Sequence, residues 1–207
     1  MRLGVLASGR GSNLQALLDA RALGGLTAEI AVVGSDRPDA AALTRAQEAG
    51  IPAFVVDPES ARARMKPEVE TQFVERLRER GCDWVLLAGF FRIIGAPLLE
   101  AFPDRIVNIH PSLLPAFPGL HAQRQAWEYG VRVAGCTVHL VDAGVDQGPI
   151  LAQAAVSVDA CEDEESLSAR ILEREHELLV ATIDRIARVG FTRDGRRIVW
   201  GDEERSA

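Results

Sequence analysis

Short apolar runs alternate with stretches of helical period along the first half of the chain. The runs at residues 3–7, 29–34, 53–56, 84–88 and 105–109 are the length of buried strands and carry few charges. Between them the period changes to that of helices. Leu14, Leu17 and Leu18 recur at helical spacing over residues 14–21. Asp39 stands where it can cap a helix over 40–49, which Gly50 ends. Pro67 fits the first turn of a helix reaching residue 80, with Val69, Phe73, Val74 and Leu77 on one face and Gly81 as its stop. A short helix over 98–101 precedes the fifth strand. This β-α-β-α order predicts an α/β fold with a doubly wound, Rossmann-like, mostly parallel sheet.

The pattern changes beyond residue 119. A helix over 121–129 ends at Gly130, and residues 136–141 alternate apolar with polar as a strand with one open face does. Residues 142–149 are a loop with two acids and two glycines, and 150–158 form another strand. Four acids at 162–165 load the start of a long helix, as the helix dipole prefers. Its apolar stripe reads Leu167, Ile171, Leu178, Ile183 and Ile186. Residues 191–200 read as a hairpin around Asp194-Gly195, and the rest as a polar tail. These elements predict an antiparallel C-terminal extension within one domain of 207 residues.

Composition narrows the classes of function. Apolar residues make up 47% and charged ones 26%, ordinary for a soluble globular protein, and a net charge of −7 disfavours a general nucleic-acid surface. Local cations can still hold small anions, and Arg10, Arg92, Arg105 and Arg124 are candidates. Cys82, Cys136 and Cys161 are widely spaced and form no Cys-x-x-Cys, which reads as reduced thiols in a cytoplasm. The N-terminal apolar run is too short for a signal peptide, and no run has the length of a membrane span.

Three loops follow strand ends on one edge of the expected sheet, where open α/β sheets bind ligands. Ser8-Gly9-Arg10-Gly11-Ser12-Asn13 joins the first strand to the first helix and offers backbone N–H groups to an anion. It lacks the lysine of a P-loop, and Leu14 stands where a dinucleotide fingerprint needs a small residue. A cradle for one phosphate monoester and a merely tight β–α turn remain. Asp36, after the second strand, can imitate the ribose-binding acid of that fingerprint, but before Arg37-Pro38 it reads first as a turn former. Gly89-Phe90-Phe91-Arg92-Ile93-Ile94-Gly95 is apolar yet flanked by glycines, so it either walls a flat aromatic ligand or tucks into the core. Asn108 and His110 sit two apart at the end of the fifth strand and project to one side. An amide and an imidazole so held can stabilise a developing oxyanion, or they can cap a turn and fill a core. Asp142 and Asp146 lie in a glycine-containing loop that can fold over the strand ends, and an aspartate beside His110 favours its cation. There is no Gly-x-Ser-x-Gly elbow, and the histidines 110, 121, 139 and 176 have no metal-ligand spacing. His121 and His139 read as structural, and Cys136 as a buried apolar side chain.

Asn108-Ile109-His110-Pro111-Ser112-Leu113-Leu114-Pro115, then Phe117-Pro118-Gly119-Leu120-His121 and Asp146-Gln147-Gly148-Pro149, resemble the folate-dependent formyltransferase family. The Gly11-Ser12-Asn13 loop and Leu87-Ala88-Gly89-Phe90-Phe91-Arg92-Ile93 extend the resemblance across about residues 1–186. What it implies is a transferase of purine biosynthesis with small-molecule substrates, acting without metal, nucleic acid or membrane, as a monomer or homodimer. Its formyl donor is 10-formyltetrahydrofolate and its acceptor is the amine of glycinamide ribonucleotide. Asn108, His110 and Asp146 are then catalytic. Gly11, Ser12, Asn13 and Glu175 hold the nucleotide. Lys66, Phe91, Arg92, Ile93, Ile94, Asn108, Asp142, Ala143, Gly144, Val145 and Asp146 hold the folate. Residues 1–109 form the nucleotide-binding half, 110–190 the folate-binding and catalytic half, and 191–207 a hairpin and tail. Lys66 stands where an arginine is frequent, Ala116 where a lysine is, and Leu172 where a polar residue is.

The expected reaction is direct attack of the neutral amine on the formyl carbon. Asn108 and protonated His110 steady the oxyanion, and a proton passes to the departing folate nitrogen. Another folate-dependent formyltransferase, or a formyltetrahydrofolate hydrolase, would share the same trio. A hydrolase is expected to carry an additional N-terminal domain, whereas the first strand here begins at Leu3. A non-enzymatic phosphate-sensing α/β domain would account for Gly11 to Asn13 but not for Asn108, His110 and Asp146 together.

Overall fold

A computed structural model describes residues 1–58 and 62–202. The elements in chain order are β1 (Arg2–Leu6), α1 (Ser12–Ala22), β2 (Glu29–Ser35), α2 (Ala41–Glu48), β3 (Ala53–Val55), α3 (Pro67–Glu79), β4 (Trp84–Leu87), α4 (Ala96–Ala101) and β5 (Ile106–His110). Then follow α5 (Ala122–Tyr129), β6 (Val133–Leu140), β7 (Ile150–Ser157), α6 (Glu164–Val189), β8 (Phe191–Asp194) and β9 (Arg197–Trp200). Strand order in the main sheet is β3-β2-β1-β4-β5-β6-β7, with β8 and β9 a separate antiparallel pair. The chain divides into two compact units, Met1–Asn108 and the residues from Ile109 onward, the boundary falling inside β5.

In the first unit the pairs β1–β2, β1–β4, β2–β3 and β4–β5 are all parallel. Their uniform apolar character follows from cover on both faces: Val5, Leu6, Val33, Val85, Leu86 and Val107 are buried. Helix α3 presents Val69, Phe73, Val74 and Leu77 to this core, as its period predicts. Helix α1 begins at Ser12, two residues before its apolar period, so Ser12 and Asn13 belong to its first turn rather than to the preceding loop. Asp39 does not cap α2. The cap position is Ala40, without a side-chain bond, and the Asp39 carboxylate accepts from Arg37 at 3.2 and 3.0 Å instead.

In the second unit β6 and β7 pair antiparallel. The alternation expected for β6 is overturned, because seven of its eight residues are buried and β7 alternates instead. Strand β6 lies between two neighbours in the strand order, whereas β7 is last in it. Helix α6 opens on a capping box, in which the Asp163 carboxylate accepts from the Ser166 amide at 2.8 Å and the Ser166 hydroxyl accepts from the Asp163 amide at 3.1 Å. Its buried stripe runs Leu167, Ile171, Glu175, Leu179, Thr182, Ile183 and Ile186, so Leu179 takes the place expected of Leu178. The i, i+4 row from Ile171 passes through Glu175 and Leu179 to Ile183, and a carboxylate inside that row conceals its register in the sequence. The expected hairpin forms, but its turn is Gly195-Arg196, one residue beyond the expected Asp194-Gly195, because Asp194 still pairs with Arg197 and the left-handed Gly195 (φ 58°) opens the turn; residues 203–207 of the expected tail lie outside the described residues. Among the described residues no helix is long and apolar enough to cross a membrane.

Candidate active site

At the carboxyl ends of β1 and β4 the first unit places the glycine loop that starts α1 and the apolar loop of residues 89–95. Gly11 is left-handed (φ 70°) immediately before α1. A Cβ there would lie 2.8 Å from Ala42 Cα, so glycine lets the loop close on α2. The first bond within α1 runs from the Gln15 amide to the Gly11 carbonyl at 2.9 Å. The amides of Ser12, Asn13 and Leu14 therefore precede the helix ladder, where the dipole favours an anion. Arg45 of α2 braces the loop, donating from Nε to the Arg10 carbonyl at 2.9 Å and from its guanidinium to Gln15 Oε1 at 2.7 Å. Arg10 and Arg37 line a cleft of about 260 Å³ with Gly9 and Phe91.

Asp36 is not a turn former. It is buried, accepting from the Ser8 hydroxyl at 2.5 Å and from Arg92 Nε at 2.6 Å. The Ser8 oxygen in turn accepts from the Phe91 amide at 2.9 Å. Arg92 also donates to the Arg62 carbonyl at 2.6 Å, and the Ile93 amide to the Ala63 carbonyl at 2.9 Å. Arg92, a candidate from sequence for a small anion and for the folate, is thus charge-balanced by Asp36 at the end of β2: the Arg92 and Asp36 side chains are 13% and 2% exposed. Phe91 is 61% exposed, Ile93 half-buried and Ile94 buried, so Phe91 is the apolar group this loop offers outward. Glu70 of α3 holds the loop's far end by accepting from the Gly95 amide at 3.0 Å. Burial pushes its carboxyl above the ordinary range, against the amides of Gly95 and Leu98 and the charge of Arg64. Lys66 immediately precedes α3, and Asn108 lies on β5 opposite Leu87 of β4.

The second unit gathers two imidazoles on one carboxylate. Asp146 Oδ2 lies 3.4 Å from His110 Nδ1, and Oδ1 lies 3.6 Å from His139 Nε2. Asp146 Oδ2 also accepts from the Gly119 amide at 2.8 Å. Burial works against the charged form of Asp146. The bonds from His139 and Gly119 and the charges of both histidines outweigh it and hold the pKa below the usual carboxylate range. The outer ring nitrogens face backbone carbonyls, His110 Nε2 that of Phe117 at 2.9 Å and His139 Nδ1 that of Leu140 at 2.8 Å. A carbonyl only accepts, so these nitrogens carry hydrogen. Each ring then turns its other nitrogen to a carboxylate. His139, read as structural, belongs to the site. The alternation read for residues 136–141 put it on the polar, open face, whereas it is buried, and no local signal placed it against Asp146.

The turn bearing Phe117 is strapped down from below. Thr137 Oγ1 donates to the Ser112 carbonyl at 2.7 Å and accepts from the Leu114 amide at 3.0 Å, while Gln153 donates to the Leu114 carbonyl at 2.9 Å. Asp142 accepts from the Gly144 amide at 2.9 Å, shaping the start of the Asp146 loop, in which Ala143 and Val145 are exposed. Glu175 is buried on α6, and Cys136 beside it is pushed up to about 12 by burial and by the Glu175 charge, consistent with an apolar role. Arg124 pairs with Glu128 on the surface of α5, and Arg105 precedes β5 at the amino end of the parallel strands. Neither joins these clusters. Ala116 and Leu172 make no polar side-chain contact, as alanine and leucine must. Among the described residues no group of three or more His, Cys, Asp or Glu side chains is placed to hold a metal ion.

The family profile described as formyl transferase matches residues 1–183, so the β8–β9 hairpin lies beyond it. Phosphoribosylglycinamide formyltransferase of Mycobacterium tuberculosis H37Rv is 46% identical over 97% of this chain and 91% of its own length. The trifunctional purine biosynthetic protein adenosine-3 of Drosophila melanogaster is 46% identical over 84% of this chain, which spans only 13% of that protein. In structure, glycinamide ribonucleotide transformylase 1 from Symbiobacterium toebii aligns over 98% of this chain and 94% of its own, at 50% identity and a TM-score of 0.91. With the family profile covering most of its length, the chain belongs to the formyl transferase family.

Proposed function

We propose that the protein transfers the formyl group of 10-formyltetrahydrofolate to the amine of glycinamide ribonucleotide, in purine biosynthesis. The observation that carries the reading is the Asp146 carboxylate held between His110 and His139, with Asn108 two residues before His110 on the same strand. Acyl transfer to an amine needs donors where the carbonyl oxygen becomes negative, and no covalent enzyme intermediate. The names of the relatives supply the acceptor.

The neutral amine attacks the formyl carbon, and its electron pair forms the new C–N bond as the carbonyl π pair moves to oxygen. The Asn108 amide and the His110 Nε2 hydrogen donate to that oxyanion. For His110 this exchanges the carbonyl of Phe117 for the substrate oxygen. Asp146 keeps the opposite ring nitrogen protonated, so the ring donates without being consumed. Collapse breaks the bond to the folate nitrogen, which takes the proton lost by the amine, relayed by water. Binding both substrates in one cleft provides the remaining acceleration through proximity.

Gly11, Ser12 and Asn13 hold the nucleotide phosphate at the start of α1, and Glu175 contacts its ribose or glycinamide part. Phe91, Ile93 and Ile94, with Lys66 and Arg92 toward the glutamate tail, serve the folate from the first unit, and residues 142–146 close over its pterin. Residues 1–109 are then the nucleotide-binding half and 110–190 the catalytic half. The buried free thiols Cys82 and Cys136 suit a cytoplasmic location.

The test is formyl transfer from 10-formyltetrahydrofolate by the purified protein, first with glycinamide ribonucleotide and then with water alone. Formylglycinamide ribonucleotide is expected only in the first. Release of formate at equal rate in both would make the protein a hydrolase, and turnover in neither would overturn the reading.

A further inference from the structure

The β8–β9 hairpin lies beyond the residues that the family profile matches and has no part in the chemistry above. It is nevertheless fixed. The Arg185 guanidinium of α6 stacks on the Trp200 ring, 4.3 Å from its centroid, and Trp200 meets Phe191 edge-on at 5.8 Å. The Gly201 amide closes the base by donating to the Gly190 carbonyl at 3.1 Å. At the tip Arg193 Nε donates to the Gly195 carbonyl at 2.7 Å, setting the turn that displays Arg196. The Arg196 guanidinium then donates to the carbonyl of Gly148 at 3.3 Å.

Gly148 is a foot of the loop that carries Asp146. The other foot is Leu140, whose amide donates to the Pro149 carbonyl at 2.8 Å. The two feet are so close that a Cβ on Gly148 would lie 1.7 Å from the Leu140 carbonyl oxygen. Between them Asp146 itself is left-handed (φ 53°), a conformation that aspartate adopts more readily than most side chains. The titratable groups that face its carboxylate are His110 from β5 and His139 from β6, and Asp142 shares its loop.

We infer that Arg196 is a positioning residue for the reaction: through the Gly148 carbonyl it fixes the foot of the Asp146 loop, and so sets how Asp146 engages His110 and His139. The effect on rate rests on the formyl-transfer reading, whereas the effect on the histidines does not.

Arg196→Ala and Arg196→Lys in the full chain test it by two readouts. Without substrate, the imidazole titrations of His110 and His139 are followed by NMR. With substrates, kcat and both KM values are measured against pH. Arg196→Ala is expected to shift both histidine titrations and to lower kcat by about threefold to tenfold, the worth of one such bond, with the nucleotide KM changed by less than about twofold. Arg196→Lys keeps a donor and is expected to recover part of both. If Arg196→Ala leaves the titrations and kcat at wild-type values, the inference is overturned, whatever happens to its melting temperature. Should Arg196→Ala not fold, wild-type titrations and kcat in both Arg196→Lys and Arg196→Gln overturn it equally. If the wild type transfers no formyl group, the activity reading fails and the histidine titrations alone decide the role of Arg196.

Discussion

His110 Nε2 donates to the backbone carbonyl of Phe117 at 2.9 Å while Nδ1 faces Asp146 at 3.4 Å. The ring is therefore oriented before any substrate arrives, and it offers the hydrogen that a formyl oxygen would take. Losing one oxyanion donor costs about 10²–10³ in kcat. His110→Ala is expected to lose that much, with both KM values nearly unchanged. Steady-state kinetics on a variant shown to be folded by circular dichroism decides it. A kcat near wild type would remove His110 from the mechanism.

The Asp146 carboxyl is held below its ordinary pKa, so its folded form releases its proton more readily than the unfolded chain does. The stability this provides is present above the unfolded value, near about 4, and is lost as pH falls through the lower folded value. Asp146→Asn removes that dependence while keeping the shape. Melting temperatures of wild type and variant measured from neutral pH down to about pH 3 are expected to converge at the acid end. In assays the variant should lose kcat and show a displaced pH–rate profile. An unchanged profile would reduce Asp146 to a loop former.

Arg92 and Asp36 form a buried pair whose removal leaves one charge without its partner. Breaking such a pair costs about 3–5 kcal/mol. Asp36→Ala is expected to destabilise the protein on that scale in denaturant unfolding, and to raise the folate KM by removing the carboxylate that holds both Arg92 of the Phe91 loop and the Ser8 hydroxyl on which the Phe91 amide rests. A stability change within about 0.5 kcal/mol of wild type would show that the pair is replaced by water at no cost.

The parallel half of the fold was legible because its strands are buried on both faces and its helices on one, which leaves distinct periods in the sequence. The register of α6 was not, since Glu175 occupies a core position that a hydrophobic stripe skips. Asn108, His110 and Asp146 were legible as residues with chemistry to offer. Their surroundings were not: Asp36 follows a strand in a sequence that suits a turn, His139 meets Asp146 only through the path of the loop between them, and Arg196 reaches Gly148 from 48 residues along the chain. The bond from His110 Nε2 to the Phe117 carbonyl leaves no trace in side-chain identity at all.

The phosphate cradle calls for a variant that changes donors without moving the backbone. Gly11 is the obvious target and a poor one. An alanine there would have to hold φ near 70° with its Cβ 2.8 Å from Ala42 Cα, so it disturbs the contact between α1 and α2. The left-handed conformation alone costs about 1–2 kcal/mol for an alanine, before any clash. Gly11→Ala is therefore expected to lower stability and to damage both substrate affinities together. Ser12 stands at the first position of α1 with its side chain half-buried, and Ser12→Ala deletes one hydroxyl while improving helix propensity. A hydrogen bond to a charged group contributes about 1.5–3 kcal/mol, which is about tenfold or more in affinity. Ser12→Ala should raise the glycinamide ribonucleotide KM by about that factor, and the folate KM by less than about twofold. Titrating inorganic phosphate as a competitor gives a second readout: its inhibition constant should weaken in parallel with the nucleotide KM. Equal changes in both substrate constants, or phosphate inhibition untouched by the substitution, would move the nucleotide phosphate away from the start of α1.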